Sequence, residues 1–226
     1  MCSRYSLTSP PEAVRAYFGY RDTPNFPARY NIAPTQPVAV VRQDREGQRQ
    51  FRLMRWGLLP SFVKYLKQFP TLINARSEEV VDKPSFRQAM RYRRCLVPAD
   101  GFYEWTGPKG KRRPFLLRPR ASHLFAFAGI YERWRDQAGG EIDSVAILTC
   151  PANRTVAPLH DRMPVVLPVE HFAAWLDVKG TDAETALALL QPAPDDLFEA
   201  IEMHPKINDS KRDEPGIQEP LEPSLL

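Results

Sequence analysis

The feature that most limits what this chain can fold into is its proline content, 23 prolines against 11 glycines in 226 residues. That is roughly double the usual proline share of about 5%. Each proline fixes φ at about −65° and removes a backbone donor, so long helices and unbroken central strands are disfavoured. Short strands joined by ordered, extended loops are expected, and a helical bundle is not. Ser9-Pro10-Pro11-Glu12 reads as a helix start, with Ser9 as N-cap, Pro10 at the first helical position and Glu12 closing a capping box, and with a stop near Gly19. Residues 22–37 hold four prolines and read as a loop through Arg29-Tyr30-Asn31-Ile32-Ala33-Pro34. Val38 to Val41 and Gln50 to Arg55 are strands about a hairpin turn at Asp44-Arg45-Glu46-Gly47. Pro84-Ser85-Phe86 opens a short basic helix through Met90 to Arg94, whose arginines read as a solvated face. Cys95 to Pro98 and Gly101 to Trp105 bracket an Asp-Gly turn. Phe115 to Leu117, Phe125 to Tyr131 and Val145 to Thr149 are core strands, and helices after Pro168 and from Thr181 cover a sheet face. Phe198 to Met203 adds a strand. One domain over 2–205 is expected, followed by a polar tail over 206–226 that carries Pro215, Pro220 and Pro223 and reads as loosely attached or disordered.

With 43% hydrophobic residues the chain can fill a sizeable core. It has no run of about 18 apolar residues and no signal-peptide layout, so a cytoplasmic protein with no membrane contact is expected. Cys2, Cys95 and Cys150 are odd in number and widely spaced, which argues against a disulfide framework and against a zinc site. No metal and no cofactor are expected. A formal charge of +4 is compatible with nucleic acid without demanding it.

The chemistry begins at Met1-Cys2-Ser3-Arg4. Removal of Met1 by an aminopeptidase that tolerates small second residues would leave an α-amine and a thiol on adjacent carbons. Such a 1,2-aminothiol attacks an aldehyde twice, first as a Schiff base through nitrogen and then by sulfur addition, closing a five-membered thiazolidine. Ordinary pKa values of about 7.7–8.0 for the amine and about 8.5 for the thiol leave part of each unprotonated near neutrality. The competing reading makes Cys2 a plain buried residue of a short N-terminal strand. Glu104, between Tyr103 and Trp105, suits acid/base work if it faces inward and is inert on an exposed edge. His160, flanked by Leu159 and Asp161-Arg162, is a candidate proton carrier or a structural histidine. Trp56, before Gly57 and close to Pro60, is a core plug at a strand end or a stacking surface.

Cys2 with Arg4, Arg29 to Pro34, Trp56-Gly57, Ile73-Asn74-Ala75-Arg76-Ser77-Glu78, Gly101 to Trp105 and His160 to Pro164, in that order, strongly resemble the SRAP family of abasic-site processing proteins. The resemblance runs from residue 2 to about residue 205. It implies an α+β fold, an open barrel of antiparallel strands with flanking helices. It implies a sensor of abasic sites in single-stranded DNA that forms a covalent thiazolidine crosslink, shielding the strand, and that associates with the nucleoid when bound. Carried over, Cys2 is the nucleophile, Asn74 orients its amine or the sugar, Glu104 shuttles protons, and His160 assists ring opening or adduct reversal. Arg4, Arg76 and Arg162 would meet phosphates, with Trp56 against a base. The family has Gly at the third position where this chain has Ser3, which bears on the local loop geometry. Two other readings stay open. One is an N-terminal-Cys amidohydrolase of the glutamine amidotransferase kind; the other is a noncovalent single-strand binding module with an inert Cys2. Proteolysis beyond self-removal of Met1 is not expected.

Overall fold

The computed structural model describes residues 2–65, 69–108, 110–136 and 138–221. Its elements run β1 (Tyr5–Leu7), α1 (Pro11–Phe18), β2 (Arg29–Ile32), β3 (Pro37–Gln43), β4 (Arg49–Trp56), β5 (Asn74–Arg76), α2 (Arg87–Tyr92), β6 (Arg94–Ala99) and β7 (Gly101–Thr106). They continue with β8 (Arg113–Pro119), β9 (Phe125–Arg135), β10 (Glu141–Pro151), β11 (Arg162–Pro164), β12 (Val166–Leu167), α3 (Phe172–Leu176), α4 (Ala183–Leu187) and β13 (Phe198–Glu202). The α+β class and the single barrel-bearing domain agree with the expectation from sequence. The helices are short, as the proline content requires.

Two sheets build the molecule. In the larger, β10, β4, β3, β6 and β9 pair in turn, and β9 returns to β10, so these strands close into a ring rather than leaving the barrel open. Closure depends on the length of β10, which pairs with β9 over 141–147 and still has Thr149 to Pro151 left for β11. Two pairings on β10, with β4 and with β5, are parallel. The second sheet has the order β13-β8-β7-β1-β2. Val40, Val41, Leu96, Phe127, Ile130, Val145 and Ile147 are all completely buried in the common core.

The expected hairpin of β3 and β4 is present, with Gly47 at φ 82° in its turn. The Asp-Gly pair at 100–101 is different. β6 belongs to the barrel and β7 to the second sheet, so Asp100 is a corner between sheets and not a hairpin tip. Its carboxylate accepts from Ser6 Oγ at 2.7 Å, Thr8 Oγ1 at 2.8 Å and the Ser9 amide at 2.9 Å. Those bonds tie β1 to the corner. They also occupy Ser9, so α1 is capped by Pro10 with Pro11 as its first residue, and it ends on Gly19 in the left-handed region. Gly101 has no room for a side chain, since a Cβ there would lie 2.7 Å from Leu116 Cδ1.

Three sequence expectations are corrected. Arg29 to Ile32 is a strand on β1 and not a loop. The Arg94 guanidinium is buried, not solvated: it stacks on Trp175 and donates to the carbonyls of Met90, Trp175, Asp177 and Thr181. Segment 206–221 is packed, not loose. Ile207 and Ile217 are buried against Tyr103, Leu116 and Met203, and Asn31 Nδ2 donates to the carbonyls of Asp209 at 3.0 Å and Arg212 at 2.9 Å. Residues 222–226 of the expected tail lie outside the described residues.

Candidate functional site

The chain before β1 runs beside the end of β7. Tyr5 pairs with Phe102, and the Tyr103 amide donates to the Arg4 carbonyl at 3.0 Å, so the antiparallel register brings Ser3 opposite Glu104, and the Glu104 carboxyl acts on the neighbouring Cys2 thiol. Cys2 is completely buried, and its thiol donates to the Arg4 carbonyl at 3.6 Å. Burial, followed by the nearby Glu104 carboxylate, pushes the thiol well above its ordinary range. From the other side, Asn74 Nδ2 donates to the Cys2 carbonyl at 2.8 Å. Asn74 therefore positions the Cys2 backbone. Its Oδ1 is a buried acceptor with no hydrogen-bond partner among the described residues.

Strand alternation puts Glu104 on the same face as Phe102, which packs into the aromatic core, so the carboxyl is 2% exposed. Burial lifts it to about 7; the Trp105 amide pulls it down and Asp161 pushes it up. A carboxyl near 7 exchanges protons readily at neutral pH. Asp161 brings in the third strand of the site. β10 carries β5 with Asn74 and Arg76 on one flank and β11 with Arg162 on the other, and Thr149 pairs with Arg76 and with Pro164. His160 lies two residues before β11. Its Nδ1 accepts from the Arg162 amide at 2.9 Å and lies 2.8 Å from Asp161 Oδ1. One nitrogen cannot both accept from a fixed amide and donate to a carboxylate. The amide decides, because Asp161 is 86% exposed and solvated whereas the amide proton is fixed in direction. The ring is then neutral with its proton on Nε2, in keeping with a pKa lowered by burial.

The four residues read as chemical from the sequence thus come from four separate stretches, the N-terminal one meeting the others beside β5, β7 and β11. The four read as DNA contacts divide. Arg76 is exposed and lies 3.8 Å from Glu79. Arg4 is half-buried, donates to Asn31 Oδ1 at 2.8 Å, and sits over the Trp105 ring in a hollow of about 500 Å³ with Ser3, Arg112 and Asn208. Arg162 is corrected. Its guanidinium is 13% exposed and is already held by both Glu78 oxygens at 2.6 and 2.8 Å and by the Thr149 carbonyl at 2.7 Å. It fixes β11, and its Nε is buried with no hydrogen-bond partner among the described residues.

Trp56 is corrected as well. It is completely buried, its Nε1 donates to the Ile73 carbonyl at 3.0 Å, and its ring meets the edge of Tyr5 at 5.2 Å. It offers no surface to a base. It is a core plug that pins the residue before Asn74. The exposed aromatics nearby in sequence are Phe62, 57% exposed, and Tyr65, on the segment that leaves at Gly57 and returns through the Leu58–Leu72 bridge to Asn74. Glu78, the partner of Arg162, was quoted in a motif without a role. Among the described residues no three His, Cys, Asp or Glu gather as metal ligands, and no helix is long and apolar enough to cross a membrane.

Against known proteins, this chain is 37% identical over 224 residues to the abasic site processing protein YoqW of Bacillus subtilis, covering 97% of this chain and 99% of that one. It is 29% identical over 273 residues to the abasic site processing protein HMCES of Rattus norvegicus, covering 98% and 76%. A crystal structure from Bacteroides thetaiotaomicron shares the fold with a TM-score of 0.85 at 23% identity, over 97% of this chain and all of that one. Another, from Bordetella bronchiseptica, gives 0.78 at 29% identity, over 90% and 100%. The sequence model of the SOS response associated peptidase family matches residues 1–210. The chain belongs to the SOS response associated peptidase (SRAP) family.

Proposed function

We propose that the chain, once Met1 is removed, captures the ring-opened aldehyde of an abasic site in single-stranded DNA as a thiazolidine on Cys2. The observation that carries this reading is the Cys2 backbone held at 2.8 Å by Asn74, beside a buried carboxyl at Glu104 whose pKa is about 7. The names of the relatives, abasic site processing proteins, support the same substrate.

The α-amine adds to the aldehyde carbon, and loss of water gives an imine. Glu104 in its protonated form donates to the departing hydroxyl. The thiol then adds to the imine carbon: a C–S bond forms, the C=N electron pair moves to nitrogen, and the thiol proton ends on that nitrogen, with Glu104 as relay. A thiol raised by burial is a poor free nucleophile. Once tethered to the imine it needs little thiolate, because well-oriented intramolecular attack reaches effective molarities of roughly 10⁵ M and above. Neutral His160, with its Nε2–H directed by the Arg162 amide, donates to the sugar ring oxygen during opening. The Asn74 Oδ1 acceptor is matched to the amine or to a sugar hydroxyl. Arg4 and Arg76 hold phosphates.

The test is incubation with a single-stranded oligonucleotide carrying one abasic site, followed by a denaturing gel. A shifted band that needs no reductant is expected from the native chain. Cys2→Ala retains the α-amine and should give adduct only when borohydride traps the imine, together with strand cleavage by β-elimination. A reductant-independent adduct from Cys2→Ala would overturn the assignment. The complete burial of Cys2 favours one other reading, noncovalent strand binding with an inert thiol. That reading requires unchanged binding in Cys2→Ala and no species that survives denaturation.

A further inference from the structure

The basic helix α2 and the arginines around it take no part in the site at Cys2. They border a hollow of about 660 Å³ whose wall includes Arg42, Arg45, Tyr92, Arg93, Gln50 and Lys179. Strand register puts it at the other end of the barrel. Gln50 lies six residues before Trp56 on β4, roughly 20 Å at about 3.3 Å per residue, and Trp56 is the plug behind Asn74.

The charges of this hollow are not balanced internally. Of its acidic neighbours, Asp143 is held by Arg133 at 2.7 and 2.9 Å, and Asp44 by the amides of Glu46 and Gln48 and by Gln50 Nε2; Glu132 pairs with Arg93 at 2.7 Å, and Glu46 also lines the wall. Arg42 donates to the Tyr131 hydroxyl at 3.3 Å, and Lys179 to the Arg45 carbonyl at 3.0 Å. Among the described residues neither has a carboxylate partner at ion-pair distance, nor has Arg45. The Nε groups of Arg42 and Arg93 are buried with no hydrogen-bond partner among the described residues. The Arg42 guanidinium carbon lies 5.6 Å from the Tyr131 ring centroid, and Tyr92 is 52% exposed at the rim, with the Arg91 guanidinium over one face of its ring at 5.9 Å. A separate hollow of about 260 Å³ on α2 is lined by Arg87 and Arg91, with Glu184 in its wall.

We propose that this face is a second nucleic-acid contact, a groove that holds the phosphodiester backbone of a single strand, with the Tyr92 ring open to a base. Arginine forks match phosphate oxygens, and an exposed aromatic face accepts any base. The proposal rests on the function above only in taking single-stranded DNA as the ligand. A strand long enough to reach both sites would be held by two contacts on one chain, which raises its affinity without any new chemistry.

The test reverses two exposed charges, Arg45→Glu with Lys179→Glu, and as control reverses two exposed charges elsewhere, Arg21→Glu with Lys211→Glu. Fluorescence anisotropy follows a labelled oligothymidylate of about 30 nucleotides with no abasic site, across a salt series. The groove variant should bind at least tenfold more weakly, with a shallower dependence of log affinity on log salt, and the control should stay within about twofold. Covalent capture of an abasic oligonucleotide of about six nucleotides should proceed at the native rate in both. Unchanged affinity and slope in the groove variant, or an equal loss in the control, overturns the proposal. So does calorimetry in which inorganic triphosphate binds as tightly as the long strand, since that marks a small-anion site. Failure of the native chain to capture the short abasic strand would sink the crosslinking function while leaving this readout intact, because the anisotropy signal needs no covalent chemistry.

Discussion

At the residue scale, Glu104 and Trp56 turn on which way a strand faces. Glu104 shares the buried face of β7 with Phe102, so its carboxyl moves from 4.5 to about 7. A raised folded-state value means that the folded chain holds the proton more tightly than the unfolded chain. Stability is therefore greatest below about 4.5 and is lost as pH rises through about 7, by about 3 kcal/mol in all. Glu104→Gln removes the titration. It should match the native chain in urea denaturation at pH 4 and exceed its stability at pH 8, while capture of an abasic strand slows by about 100-fold. An equal stability difference at both pH values would show that the carboxyl does not titrate in this window. Trp56 gives the opposite case, an aromatic whose role lies in packing. Trp56→Phe loses the bond to the Ile73 carbonyl and should cost about 1–3 kcal/mol, with salt-dependent DNA affinity unchanged in the folded protein. A tenfold fall in affinity with no loss of stability would restore Trp56 as a base contact.

At the element scale, the site depends on β5 and β11 flanking one strand, β10. Arg162 spans that junction, from β11 to Glu78 beyond β5, with a bond to Thr149 of β10 between them. Glu78→Ala leaves this largely buried guanidinium without its bidentate partner and should destabilise by about 2 kcal/mol in denaturant unfolding. It should also slow capture, because the Arg162 amide directs the His160 ring. Arg162→Lys with Glu78 in place should also destabilise, since an ammonium cannot span both carboxylate oxygens. A native capture rate in Glu78→Ala would separate the ion pair from the chemistry. Sequence made the local elements legible: β3 and β4 announce themselves by alternation around Asp44 to Gly47, with Gly47 where a positive φ is needed. The junction was not legible, because β10 pairs in parallel with β4 and β5, from which it is separated by some 70 to 90 residues, and nothing local to Val145 or Leu148 encodes a partner that distant. For the same reason the Arg162 motif read as a phosphate contact: the sequence shows the charge and hides the carboxylate that takes it up.

At the scale of the whole molecule, the segment after β13 shows how composition can mislead. It is polar and proline-bearing, which suggested a loose tail, yet two isoleucines ten residues apart are enough to anchor it. Ile207 and Ile217 close over Tyr103 and Leu116 on the outer face of the second sheet. Asp213 meanwhile accepts from Arg29 and from the amides of Tyr30 and Asn31, which fixes the outer strand β2. The segment also reaches the site, since the Arg4 guanidinium donates to the Ile207 carbonyl at 3.3 Å and Trp105 Nε1 to Asn208 Oδ1 at 2.7 Å. Burying two isoleucine side chains is worth about 3–6 kcal/mol together. At about 2–4 °C per kcal/mol for a chain of this size, a stop codon after Pro205 should lower Tm by about 10–20 °C. Capture should fall further than stability explains, because Arg4 loses two backbone acceptors and one wall of the hollow beside Ser3 is gone. Ile207→Ala isolates the packing part: it should cost about 2–4 kcal/mol and leave the Asn208 contact in place. Differential scanning fluorimetry and the denaturing gel, run on both variants at a temperature where each is folded, read the two effects separately. A truncated chain that melts within about 2 °C of the native one and captures at the native rate would make the segment an appendage, and the strap across β2 and Arg4 would carry no share of the site.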